Sequence, residues 1–276
     1  MEVKDITVLI DNIILSYKDN PIDLLKLGEG KNEYQYLQDL KYSYIRTVKD
    51  INSLLQKDAK ALEIGSLFGV VSIALKQSGF DVTGTEIPEF YASENLQKLY
   101  QKHGITFNQV NLRDYKLTYP DESFDAVIMC EVLEHLNFNP LPVLQEINRV
   151  LRKDGYLYIA MPNQASLDNR LKLLTGKSVH SPIQYYSDQL DAKKNFIVSI
   201  HWREYTMTET LDMITKMGFL LQKKYYFSEN GPRKRTVFSL FRFLLYLFPP
   251  LRSSLVVVAK KGKNANFDFR FTESST

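Results

Sequence analysis

The sequence predicts an α/β protein built on a mostly parallel sheet with helices on both faces. Three observations predict it. From Ala59 onward, short apolar runs alternate with amphipathic helical stretches, the pattern of strands joined by crossover helices. The first run ends in a glycine-bearing turn, Gly65-Ser66-Leu67-Phe68-Gly69, that opens a helix. The second run ends in an acidic residue, Glu86, 21 residues beyond Gly65. Seven strands are expected in all, in a Rossmann-like sheet carrying N-terminal helices and a cap insertion.

Residues 1–57 read as helical, with Leu37, Leu40, Tyr44, Ile45, Val48, Ile51, Leu54 and Leu55 at helical spacing. Residues 58–163 form the core, with strands at 61–64, 81–85, 106–110, 126–130 and 156–160. Its helices fall at 70–77, 89–102 and 140–151. The stretch 164–200 is polar and aromatic and fits neither period, and residues 164–205 are expected to form the cap. Residues 206–264 complete the sheet, with a helix at 207–217 ended by Gly218 and strands at 219–227 and 254–259. An aromatic insert occupies 228–252, and a polar tail 265–276. No internal repeat is visible.

The chain has 276 residues, 44% of them hydrophobic, enough for a full core. Lys+Arg 35 against Asp+Glu 32 leaves a net charge of +3 with no basic stripe, so no nucleic-acid partner is expected. Cys130 is the only cysteine, which excludes a disulfide framework and a multi-cysteine metal site. Glu2, Asp5 and Asp11 interrupt the N-terminal apolar stretch, unlike a signal peptide. No apolar run reaches membrane-spanning length, and a cytoplasmic protein is the expectation.

The first strand ends Leu62-Glu63-Ile64-Gly65. The dinucleotide fingerprint G-x-G-x-x-G would need glycine at 67 and 70, where Leu and Val stand. An acidic residue two before the first glycine and a second glycine four after it suit an ammonium-bearing ligand such as S-adenosylmethionine. A carboxylate at Glu86 can accept hydrogen bonds from two vicinal ribose hydroxyls.

The string Tyr119-Pro-Asp-Glu-Ser-Phe-Asp-Ala-Val-Ile-Met-Cys-Glu-Val-Leu-Glu-His-Leu136 resembles the fourth-strand motif of class I S-adenosylmethionine-dependent methyltransferases. So does Glu146-Ile-Asn-Arg-Val-Leu-Arg-Lys-Asp-Gly-Tyr-Leu-Tyr-Ile-Ala-Met-Pro-Asn163. The resemblance covers roughly residues 60–227 and is similar to bacterial and archaeal small-molecule or glycan-associated enzymes. It implies that Glu63, Gly65, Ser66 and Gly69 surround the methionine moiety, Glu86 holds the ribose, and Ile87 packs on adenine. It implies adenine contacts at Asn111 and Leu112, and a methionine-end contact at Cys130 and Glu131. Leu67 stands where the family often has glycine, and Asn111 where it has aspartate.

Oxygen and nitrogen acceptors often need a base, and the candidates are Glu131, Glu134 and His135 at the mouth of the cleft. On a first helical turn Glu131 and Glu134 would share a face, and His135 has the best unperturbed pKa for the role. The same side chains can instead cap a helix or support the loop. No metal is assigned. Glu-x-x-Glu-His nevertheless resembles the metal-binding string of small-RNA 3′-end and ubiquinone-pathway methyltransferases, which His201 or His180 would complete here.

In the insert, Arg233-Lys234-Arg235 leads into an apolar run at 237–248 that contains Arg242. It is too short to span a bilayer and reads as an interfacial helix, or as one packed on the sheet or in a dimer interface. The expected activity is methylation of an oxygen on a glycan, lipid-linked or other small-molecule acceptor, with peripheral membrane contact through 233–250. The other reading is a catalytically silent methyltransferase fold acting as a binding subunit. The fold leaves the acceptor open.

Overall fold

A computed structural model of the chain describes residues 3–19, 21–22, 32–190, 200–228, 247–265 and 267. Two helices come first, α1 (Val3–Asp19) and α2 (Glu33–Leu54). The core follows as β1 (Lys60–Ile64), α3 (Val70–Gln77), β2 (Asp81–Glu86), α4 (Pro88–Tyr91), α5 (Glu94–Lys102), β3 (Thr106–Gln109), β4 (Phe124–Cys130), α6 (Leu141–Val150) and β5 (Leu151–Pro162). Then come α7 (Leu167–Leu174), α8 (Ile183–Asp188), α9 (Met207–Lys216), β6 (Phe219–Phe227) and β7 (Ser254–Lys261).

The seven strands form one sheet in the order β3-β2-β1-β4-β5-β7-β6. β7 runs antiparallel to β5 and β6, and the remaining neighbours are parallel. Strand order reverses between β1 and β4, which opens a crevice at their carboxyl ends, where such sheets bind ligands. Both faces are covered. Ile128 of β4 joins Ile10, Ile14, Leu37, Val48, Ile51 and Ile73 on one side. Its neighbours Val127 and Met129 join Leu144, Ile147, Ile214 and Leu255 on the other. Burial on both faces is why the central strands read as unbroken apolar runs.

The expected strands are all present, and most helices keep their places. The continuous helix over 89–102 is instead α4 and α5, because Ser93 leaves the helical conformation and its hydroxyl accepts the Leu96 amide as an N-cap. In α2, Asn32 and Gln35 form a capping box. The stretch with no readable period contains α7 and α8. Leu173, Leu174 and Ile183 there are exposed, so these helices carry no buried apolar stripe for periodicity to reveal. Of the insert, Arg233, Lys234, Arg235 and the run up to residue 246 lie outside the described residues. Leu247 and Phe248 are exposed, and a 3-10 turn follows at Pro249–Leu251. Among the described residues no helix is long and apolar enough to cross a membrane.

Candidate active site

A cavity of about 350 Å³ lies at the carboxyl ends of β1, β2 and β4. Gly65, Leu67, Glu86, Ile87, Asn111, Leu112, Glu131 and His135 all line it. Gly65 has φ +70°, and a Cβ there would meet Val132 Cγ2 at 2.5 Å, so the turn admits no side chain without rearrangement. Leu67 also takes a left-handed conformation, φ +40°. Its amide donates to Glu86 Oε1 at 2.7 Å, and the Ile87 amide donates to Oε2 at 3.0 Å. Burial pushes the Glu86 carboxyl up to about 7, against the opposing pull of those two amides. Each carboxylate oxygen keeps acceptor capacity beyond its one amide.

At the other end of the cavity, Glu131 follows β4 with φ +53°, a left-handed conformation uncommon outside glycine. Its amide donates to the Ala160 carbonyl at 2.9 Å. The chain then makes a 3-10 turn, Leu133–His135. The helical face expected to join Glu131 and Glu134 does not form, because the left-handed residue breaks the spiral before the turn begins. Glu134 points inward instead. It is 0% exposed, and neither carboxylate oxygen makes a well-formed hydrogen bond among the described residues. Burial raises its pKa to about 7, with His201 nearby opposing the shift.

His135 Nδ1 lies 3.0 Å from the Ile200 carbonyl. A carbonyl only accepts, so Nδ1 carries the proton and Nε2 keeps its lone pair. That Nε2 lies 3.9 Å from Glu134 Oε1. Burial, then His201, lowers the His135 pKa to about 4. His201 packs edge-on against the His135 ring at 4.9 Å and donates through Nδ1 to Glu204 Oε1 at 3.0 Å. Glu204 also accepts from Asn169 Nδ2 at 2.9 Å. Potential ligand atoms of Glu134, His135 and His201 lie within 4.8 Å of one another. His180 is exposed and outside this cluster.

The segment carrying His201 is docked by its backbone: the Trp202 and Arg203 amides donate to the Glu134 carbonyl at 2.8 and 3.3 Å. Trp202 both lines the cavity and packs edge-on against Tyr186 of α8 at 5.4 Å.

Residues 62–159 match the methyltransferase domain family. The chain carries a methyltransferase domain over those residues. It is 32% identical over 136 residues to the ubiquinone biosynthesis O-methyltransferase of Haemophilus ducreyi, covering 46% of this chain and 54% of that protein. It is 25% identical over 186 residues to YqeM of Bacillus subtilis, named as a methyltransferase, covering 64% and 66%. The chain thus matches about half the length of the first relative. A structure from Haloferax volcanii, described as a complex of the Trm112 methyltransferase activator with a methyltransferase, shares the fold. The TM-score is 0.57 with 15% identity, over 82% of this chain and 94% of that one.

The methyltransferase cavity fits S-adenosylmethionine by its chemistry. Glu86 offers acceptors for a ribose, Ile87 and Leu112 apolar surface for adenine, and Gly65 a close backbone approach. The other residues expected at the cofactor, Glu63, Ser66, Gly69 and Cys130, do not line the cavity and have partners of their own. Glu63 accepts the Ser72 hydroxyl, and burial raises its pKa to about 8; the Ser72 bond lowers it and the Glu86 charge raises it. Ser66 accepts the Tyr100 hydroxyl at 2.7 Å, and Gly69 starts α3 with φ +67°. Cys130 faces the Thr47 hydroxyl at 3.6 Å, and burial pushes its thiol well up. Asn111 Oδ1 accepts the Arg113 amide at 3.1 Å, which turns the chain at the rim. The sequence reading missed Tyr36, Arg113 and Asn137 in the wall, and Asn169 and Glu204 behind His201. Of these only Glu204 left a signal, three residues after His201.

Proposed function

We propose that the methyltransferase domain transfers the methyl group of S-adenosylmethionine to a hydroxyl of a small acceptor. The observation that carries this reading is that Glu131 and His135 line the same cavity as the Glu86 carboxylate, with Glu134 buried directly behind His135. The acceptor oxygen forms a bond to the methyl carbon while the sulfur–carbon bond breaks and its electron pair stays on sulfur. His135 Nε2, unprotonated at neutral pH, is the site for the acceptor's proton. Trp202 and the docked segment behind it exclude water. Screening acceptors with labelled cofactor tests this. His135→Ala should lower turnover far more than cofactor affinity. Cofactor binding without turnover on any acceptor would favour the silent binding subunit.

A second reading has a divalent ion held by Glu134, His135 and His201, and one observation favours it. A fully buried carboxylate without a well-formed hydrogen bond is costly, and it faces two imidazoles whose Nδ1 protons are both turned away toward acceptors. Oxygen and imidazole ligands suit a borderline divalent ion. Such an ion would lower the pKa of an acceptor hydroxyl. His201 and Glu204 would then form a carboxylate–histidine pair that orients the ligand.

Exposed Leu174, Ile183, Leu247 and Phe248, together with the basic run Arg233-Lys234-Arg235, suit an acceptor presented at a lipid surface. Flotation with anionic liposomes at low and high salt tests this. Protein that stays free at low salt points to a soluble sugar or metabolite instead.

A further inference from the structure

One cation outside the cavity lining has no role in the reading above. Arg46, on α2, is partly buried, and its Nε is a buried donor with no hydrogen-bond partner among the described residues. Its guanidinium lies over the ring of Phe227 at 4.2 Å and that of Tyr225 at 5.5 Å. The nearest carboxylate on its own helix, Asp50, is already engaged by Lys223 at 2.9 Å, the Tyr225 hydroxyl and, at 3.4 Å, the Tyr158 hydroxyl.

Sheet register places this guanidinium relative to the reacting end. Tyr225 pairs with Val256, Val256 with Ala160, and Ala160 with Cys130. Arg46 therefore stands level with the end of β4, where Glu131 begins the catalytic rim. The lateral distance from β6 to β4 is three strand spacings, about 14 Å. Thr47, the next residue of α2, reaches Cys130 itself, so the same helix turn borders both places.

We propose that Arg46 binds an oxyanion, carboxylate or phosphate, on the methyl acceptor, at the end remote from its reacting hydroxyl. The inference rests on the methyl-transfer reading. Two aromatic rings hold the guanidinium in place, and its planar fork of N–H donors matches an oxyanion in two-bond geometry. An unpaired buried donor is costly, and an anionic acceptor removes that cost on binding. Specificity follows, because an uncharged analogue leaves the donor unpaired.

The test is a titration of the full chain, ¹⁵N-labelled and saturated with S-adenosylhomocysteine, with sodium benzoate, inorganic phosphate and neutral benzamide. The Arg46 Nε–H signal is identified by its absence in Arg46→Lys and Arg46→Met. We expect a saturable shift of that signal with at least one anion and none with benzamide. Benzoate alone marks a carboxylate, and phosphate alone a phosphate. The anion should bind about tenfold more weakly to Arg46→Lys and not measurably to Arg46→Met. No saturable shift with either anion, or equal anion affinity in Arg46→Lys, overturns the proposal. Arg46→Lys suffices if Arg46→Met fails to fold. S-adenosylhomocysteine affinity is read in the same samples. Its absence in the wild type marks a failure of the methyl-transfer reading, and its retention without anion binding a failure of this one.

Discussion

The amide of Leu67 donates to Oε1 of Glu86 across 2.7 Å, tying the turn after β1 to the end of β2. This bond explains how leucine is tolerated at a left-handed position where the resemblance leads one to expect glycine. Left-handed backbone costs a non-glycine residue roughly 1 kcal/mol, and a charge-assisted bond to a buried carboxylate contributes about 1.5–3 kcal/mol. The loop's shape is held from outside by Glu86.

Replacement of Glu86 should therefore cost twice, once in ribose contacts and once in loop order. Glu86→Ala is expected to weaken S-adenosylmethionine binding by at least about 1.5–3 kcal/mol. Glu86→Gln keeps one acceptor oxygen and should weaken it less. Calorimetry on both variants checks this, and unaltered affinity in Glu86→Ala would remove the ribose role.

Gly65 and Val132 make a separable steric pair. A methyl at 65 meets Val132 Cγ2 at 2.5 Å and is also strained by φ +70°. Gly65→Ala should reduce cofactor affinity sharply, and adding Val132→Ala should restore the steric part. The backbone part, roughly 1–2 kcal/mol, should remain. A double-mutant cycle with no coupling between the two sites would mean the loop relaxes some other way.

Stability should depend on pH through Glu63. Its folded carboxyl titrates near 8 because burial disfavours the charge, whereas the unfolded group titrates near 4.3. A raised folded pKa favours the protonated native state. Its contribution is fully present below the unfolded pKa and lost as pH rises through the folded value. Cofactor-free protein should thus lose stability from about pH 4.3 to 8, by up to about 1.4 kcal/mol per pH unit from this group. Glu63→Gln should flatten that slope in denaturant titrations. An equally steep slope in the variant would assign it to other groups.

The sequence made the sheet legible because β1, β4 and β5 are buried on both faces and bounded by turns. It made the turn after β1 and the end of β2 legible because Gly65 and Glu86 stand at strand ends, and both line the cavity. The catalytic end was only half legible. Nothing local announces the left-handed Glu131 that turns Glu134 inward. The partnership of His135 with His201 spans 66 positions and depends on Trp202 and Arg203 amides finding the Glu134 carbonyl. The cap helices α7 and α8 were illegible because most of their apolar residues, Leu171, Leu173, Leu174 and Ile183 among them, face outward, and Leu167 alone makes no buried stripe.

The buried Glu134 carboxylate yields the most discriminating prediction. If Glu134, His135 and His201 hold a divalent ion, the ion stabilises only the folded chain. Wild-type protein stripped with EDTA should gain about 2.7 kcal/mol of stability at a hundredfold excess of Mn²⁺ or Zn²⁺ over its dissociation constant. Glu134→Gln keeps the side chain's shape and removes the charge that lacks a well-formed hydrogen bond. Stripped Glu134→Gln should be at least as stable as stripped wild type, and it should no longer respond to the ion. Glu204→Ala keeps all three ligands but frees His201 to turn, so its ion affinity should fall about 10–100-fold. Thermal unfolding of the three proteins with and without ion separates the readings. If wild type ignores every ion tested and Glu134→Gln is destabilised, the carboxylate is held protonated. His135 then acts alone as the base.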